Sequence, residues 1–132
     1  FYGIMNTETG EVTYANAGHN PPYIIEKGVE PVQIESTGGI ALGVMEEMEF
    51  ESATFTVSKG DSIFLYTDGV NEAMNEADEE YSYERLEDYL KENSTGSITD
   101  MVNKNLESVK EFAGTAPQSD DITVLALRYL GK

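Results

Sequence analysis

Three acidic positions have both the residue type and the placement for chemistry. Asp68 follows Tyr66-Thr67 and precedes Gly69-Val70, at the carboxyl end of the continuous apolar run Ile63-Phe64-Leu65-Tyr66. A carboxylate at that place is fixed by the strand behind it and exposed at the strand's rim, and the glycine lets the backbone bend. Asp-Gly is equally a common turn dipeptide, so the feature alone also suits a plain turn. Asp120 and Asp121 are adjacent, immediately before a second β-branched and apolar run, Ile122 to Tyr129. Two like charges side by side are tolerated in water or beside a cation, which a solvated loop and a metal site both satisfy. If the two runs are neighbouring antiparallel strands, Asp68 at the end of one meets Asp120 at the start of the other. That oxygen-only pair would suit a hard divalent ion, magnesium or manganese.

Composition narrows the alternatives. The 132 residues include 25 acidic and 8 basic side chains, a net charge of −17, with one histidine and no cysteine. Disulfides, thiolate zinc sites, cysteine nucleophiles and multi-histidine metal sites are excluded. So few, scattered cations argue against nucleic acid and against anionic membrane surfaces as ligands. No run approaches the length of a membrane span, and the chain's start, Phe1-Tyr2-Gly3-Ile4-Met5, lacks a basic signal region. A soluble, cytoplasmic protein is expected. Twelve residues counted from Asp68 reach Glu79, but Ala73 stands where a calcium loop requires glycine. The acidic run Glu76 to Glu80 therefore reads as a solvated loop. His19, between Gly18 and Asn20, could act as a general acid or substrate contact, but no triad spacing surrounds it and a turn role is the simpler reading. Asn93-Ser94-Thr95 has glycosylation spacing, but nothing in the sequence suggests secretion.

These positions need elements to hold them. Residues 2–6 and 11–15 read as a hairpin across Thr7-Glu8-Thr9-Gly10. In the second run Val12 and Tyr14 share one face and Thr13 and Ala15 the other, before the turn Asn16-Ala17-Gly18-His19-Asn20-Pro21-Pro22. Tyr23-Ile24-Ile25 and Val32-Gln33-Ile34 are two more short strands. Residues 53–57 alternate with Ala53, Phe55 and Val57 inward, whereas Ile63–Tyr66 is apolar throughout and belongs in the centre of a sheet, covered on both faces. Helical spacing places Tyr83, Leu86, Tyr89 and Leu90 on one face of a short helix. Ile98, Met101, Val102, Leu106, Val109, Phe112 and Ala113 line a longer one, started by a Ser97–Asp100 capping box and stopped by Gly114 and Pro117. Many strands, two helices and a final strand point to an α+β fold with antiparallel strands and helices on one face.

Taken as a set, four blocks resemble a known family. Tyr14-Ala15-Asn16-Ala17-Gly18-His19-Asn20-Pro21-Pro22, Ala41-Leu42-Gly43-Val44, Phe64 through Gly69-Val70 to Glu72-Ala73, and Ser119-Asp120-Asp121-Ile122-Thr123-Val124 occur in the order and spacing of the carboxyl-terminal part of bacterial metal-dependent serine/threonine phosphatases of the stage II sporulation protein E type. These are PPM phosphatases, relatives of the type 2C enzymes. The resemblance implies an antiparallel β-sandwich flanked by helices, in α-β-β-α layers, with two manganese or magnesium ions at one end. It further implies hydrolysis of phosphoserine or phosphothreonine by a metal-activated water. The family's metal-ligating aspartates fall on Asp68 and Asp120. Gly69 matches its glycine of close backbone approach, Asp121 stands beside the ligand, and no catalytic role carries over to His19.

One block does not match. The family's amino-terminal half carries an Asp-Gly-x-Gly-His-Gly-like block whose aspartate bridges the two ions, and nothing before Tyr14 contains it. Residues 1–132 are therefore expected to be the carboxyl-terminal portion of one phosphatase domain: incomplete, inactive alone, and with open sheet edges that favour pairing, including homodimerisation. The expected substrate of the parent is a phosphorylated regulatory protein such as an anti-sigma-factor antagonist. The alternative is a non-catalytic interaction module of degenerate phosphatase fold, using its acidic face to bind a basic partner.

Overall fold

Two antiparallel sheets and two helices form in the computed structural model, which describes residues 1–131. Strands β1 (Tyr2–Met5), β2 (Glu11–Ala15) and β5 (Ala53–Thr56) make a three-stranded sheet in the order β1-β2-β5. Strands β3 (Tyr23–Ile25), β4 (Val32–Gln33), β6 (Ser62–Tyr66) and β7 (Val124–Arg128) make a four-stranded sheet in the order β4-β3-β6-β7. The first hairpin closes as expected, and Gly10 explains why it ends in glycine. Its φ is +77°, and a Cβ there would lie 2.1 Å from the Val57 carbonyl oxygen, so only glycine fits.

Alternation along the strands divides the interior in two. Val12, Val57 and Ile63 are buried between the sheets, with Met5, Ile24, Phe55, Leu65 and Tyr129 packed against them. The other face of the four-stranded sheet presents Tyr23, Ile25, Phe64 and Tyr66 to the helices α1 (Ser82–Glu92) and α2 (Ile98–Ala113). Strand β6 contributes to both cores, and four of its five residues are buried, which is why its sequence is apolar without alternation. Each large side chain fully buried here contributes about 1.5–3 kcal/mol.

The helices follow their periodicity with two corrections. Ser97 Oγ accepts from Asp100 N at 3.0 Å and caps α2 as expected, and Gly114 ends it at φ +60°. In α1, Leu86, Tyr89 and Leu90 are buried, but Tyr83 is 46% exposed. In α2 the buried stripe is Met101, Asn105 and Val109, while Leu106 faces outward at 38% exposure. Ile98 and Phe112 pack partly buried at the two ends of the stripe, and a polar residue occupies its middle. α1 starts without a side-chain cap; its first turn hangs instead from Ser82 N to Asn71 O and Tyr81 N to Ala73 O, each 2.8 Å.

The described residues thus fill three layers: helices, sheet and sheet. Among the described residues no helix covers the outer face of the three-stranded sheet, where Tyr2 and Ile4 stand 68% and 60% exposed. Strand β7 is an edge, and its Leu125 and Leu127 border an open groove of about 220 Å³ between the sheets, with Phe1, Met5 and Leu65.

Candidate metal centre

The pairing of β6 with β7 decides whether the aspartates meet. The strands run antiparallel with Tyr66 opposite Val124, so the chain leaving β6 and the chain entering β7 lie at the same rim of the sheet. The ladder continues one step beyond the strands, Thr67 N donating to Thr123 O at 3.0 Å. The Thr67 hydroxyl then clasps the two loops, donating to Asp121 O at 2.7 Å and accepting from Thr123 N at 2.9 Å. Donor and acceptor capacity of that hydroxyl are both used across the gap.

Gly69 lets the loops close fully. It is buried, and a Cβ on it would lie 2.7 Å from Asp121 O and 3.2 Å from Asp120 O. Its φ is outside the left-handed range, so the requirement is one of space and not of backbone conformation. Asp68 Oδ1 accepts from Gly69 N at 3.0 Å, and Asp120 Oδ1 accepts from Asp121 N at 2.6 Å. Gln118 Nε2 steadies the second loop through Asp120 O at 2.7 Å.

The other two sequence blocks are tied to this rim. Asn20 Nδ2 donates to Asn71 Oδ1 at 3.2 Å, joining the turn after β2 to the segment after Asp68. Within that turn the Asn16 side chain accepts from His19 N at 2.9 Å and donates to His19 O at 2.7 Å. His19 Nδ1 lies 2.7 Å from Asn20 O, and since a carbonyl only accepts, Nδ1 carries the proton. Its ring is engaged in the turn. Gly18, at φ +86°, would place a Cβ 3.0 Å from the Ala41 backbone, so the Ala41-Leu42-Gly43-Val44 block rests directly on the turn. All four blocks thus form one connected set of contacts.

Asp68, Asp120 and Asp121 are all exposed, and no cationic side chain pairs with them among the described residues, where the single ion pair joins Lys91 to Glu30. An uncompensated, oxygen-only rim fits a hard divalent cation in donor chemistry. In number it falls short: no group of three or more acidic or histidine side chains gathers around one point among the described residues. Behind the rim, burial pushes the Tyr66 hydroxyl up to about 12, so it is a neutral wall at physiological pH; it accepts from Gln33 Nε2 at 3.0 Å. The acidic run is not purely solvated, because Glu76 Oε1 accepts from Thr115 N and Oγ1 at 3.0 and 2.6 Å and ties the loop after α2 to the segment after Asp68.

Thr67, Asn71 and Gln118 hold the rim, and their roles do not follow from the sequence. The one available signal is a hydroxyl residue at the exit of a buried strand, directly before an acid.

Known proteins resemble the chain in sequence and in fold. The sequence model of the family described as stage II sporulation protein E (SpoIIE) matches residues 1–130. Protein IcfG of Synechocystis is 30% identical over 129 residues, 96% of this chain and 20% of that protein. The phosphoserine phosphatase RsbU of Bacillus subtilis is 28% identical over 130 residues, 97% of this chain and 38% of that protein. Among solved structures, the RsbU and RsbW domains of Rv1364c from Mycobacterium tuberculosis superpose with a TM-score of 0.80 at 28% identity, covering 96% of this chain and 34% of that one. The manganese-presoaked phosphatase domain of SpoIIE from Bacillus subtilis gives 0.72 at 16% identity, covering 96% and 54%, a likeness of fold alone. The chain spans well under half the length of both curated relatives.

Proposed function

The chain belongs to the stage II sporulation protein E family, and from that premise we propose that it is the carboxyl-terminal portion of a metal-dependent serine/threonine phosphatase domain. In this reading Asp68 and Asp120 are ligands of one manganese or magnesium centre, which takes two ions in the complete domain, with Asp121 and Gly69 supporting them. The observation that carries it is the antiparallel register of β6 and β7 with the Thr67 clasp, which puts both aspartate loops at one rim. When bound, such ions activate water toward phosphorus and neutralise phosphoryl charge. The residues' part is positional: Thr67 fixes the spacing of the loops, Gly69 admits their close approach, and Asn71 with Asn20 braces the rim from the side. The substrate is a phosphorylated bacterial regulatory protein of the anti-sigma-factor-antagonist kind; in support, the relative RsbU is named a phosphoserine phosphatase. Two carboxylates make a weak site, so these residues alone bind the metal loosely and do not hydrolyse phosphoserine.

A second reading has its own observation. The absence of a third metal-ligating side chain at the rim, among the described residues, with a net charge of −17, favours a non-catalytic acidic module that binds a basic partner. Isothermal titration of manganese into the chain, with Asp68→Asn and Asp120→Asn, separates the two. Weak binding that each substitution lowers at least tenfold supports the phosphatase site. Binding indifferent to both changes leaves ordinary loop carboxylates and favours the module.

A further inference from the structure

A second cavity adjoins the rim. It has a volume of about 510 Å³ and lies between the carboxyl-terminal half of α2, the loop after it and the segment after Asp68. Its size is that of a ligand pocket. Its walls are largely apolar, with Met74, Leu106, Val109, Ala113 and Ile122 among them, and its one cationic lining residue is Lys110. Lys110's ammonium makes no hydrogen bond or ion pair among the described residues. Three lining residues are chain neighbours of the three rim aspartates: Gly69 of Asp68, Ser119 of Asp120 and Ile122 of Asp121. The cavity and the rim are therefore two parts of one surface.

Electrostatics says what this cavity is for. A phosphoserine peptide is anionic, and a chain of charge −17 repels it at long range. Holding it requires short-range contacts beside the phosphate position, and an apolar pocket with a lone cation provides them. On the phosphatase reading, which it deepens, the geometry points to this cavity as the docking subsite for the segment flanking the phosphoserine, with a large apolar side chain against Val109, Ala113 and Ile122 and an adjacent carboxylate on Lys110. Specificity among phosphoproteins then rests on an apolar-acidic pair near the modified serine, read by α2 and its following loop.

The test titrates the isotope-labelled chain, in magnesium, with short phosphoserine peptides in which a Leu-Glu pair is moved stepwise through otherwise glycine positions. At one position of the pair, affinity rises about tenfold over the all-glycine peptide, with shifts in the resonances of Val109, Ala113 and Ile122. Ala113→Trp and Ala116→Trp, which fill the cavity, each remove that gain, and Lys110→Glu, on an exposed side chain, lowers it at least fivefold in a chain whose spectrum shows it folded. A gain below twofold at every position, or one that survives both cavity-filling changes and Lys110→Glu, overturns the subsite. Unphosphorylated peptides separate this from the parent reading. A Leu-Glu gain kept without any preference for phosphoserine would count against the phosphatase and for the cavity; a phosphoserine preference without the gain would do the reverse.

Discussion

Replacing Gly69 by alanine is the sharpest test of the rim. Gly69 is not in the left-handed region, so the ordinary expectation for Gly→Ala is stabilisation by about 0.4–1 kcal/mol through the unfolded chain. The structure reverses that sign. The new methyl would stand 2.7 Å from Asp121 O, about 0.7 Å inside the 3.4 Å at which ordinary contact begins, and its neighbours are backbone atoms that cannot rotate away. Relief requires the segment after β6 to part from the segment before β7. The Thr67 hydroxyl bonds to Asp121 O and Thr123 N are the first to stretch. Overpacking of this kind costs about 1–3 kcal/mol, and each hydrogen bond lost adds about 1. A net destabilisation of about 2–4 kcal/mol follows, lowering the urea midpoint by roughly 1–2 M for a chain of this size. Manganese affinity should fall at least tenfold in the same variant, because the two aspartate loops have moved apart. Urea unfolding followed by circular dichroism, with titration of the folded variant, measures both. An unchanged or raised midpoint would refute the close approach at Gly69, and with it the reason for assigning both aspartates to one site.

Two further outcomes follow from single side chains. Asn105 is fully buried in α2, and neither its Oδ1 nor its Nδ2 has a hydrogen-bond partner among the described residues, so Asn105→Leu, which keeps its branching and its number of heavy atoms, should stabilise the chain by about 1–3 kcal/mol; a loss of stability on urea unfolding would mean that the amide is satisfied by ordered water or that the added methyl volume does not fit. The two Thr115 hydrogen bonds hold the exposed Glu76 carboxyl below its ordinary value of 4.5. With the folded value depressed, its stabilisation is present above the unfolded value and lost as pH falls through the folded one. Relative to Glu111→Gln, which removes the same charge from an exposed site on α2, Glu76→Gln should lower the thermal midpoint near neutral pH and converge with it in acid; a pH-independent difference would rule out the bond pair as the cause.

Legibility in the sequence tracked how local each cause is. The apolar run Ile63–Tyr66 announced a central strand because burial on both faces leaves no room for alternation, and Ser97 with Asp100 marked the start of α2 because a cap is made within one turn. The rim was legible only conditionally: Asp68 and Asp120 meet if β6 and β7 are antiparallel neighbours, and strand order is set by contacts between residues more than fifty apart. Thr67 shows that limit most plainly, since its hydroxyl partners lie 54 and 56 positions away and nothing in Tyr66-Thr67-Asp68 reports them. Asn105 was hidden for the opposite reason: a polar residue inside an apolar stripe breaks the very pattern by which buried positions are read.

The pairing of β6 with β7 also sets a timetable. Asp68 and Asp120 are separated by 52 positions that include both helices, and closing such a loop costs about 3.5 kcal/mol of chain entropy before any contact at the rim repays it. β7 follows both helices in the chain, so during synthesis Asp68 leaves the ribosome before Asp120 exists. A chain that stops short of Asp120 cannot form the rim. On the phosphatase reading, an ion is held there only once β7 has paired with β6.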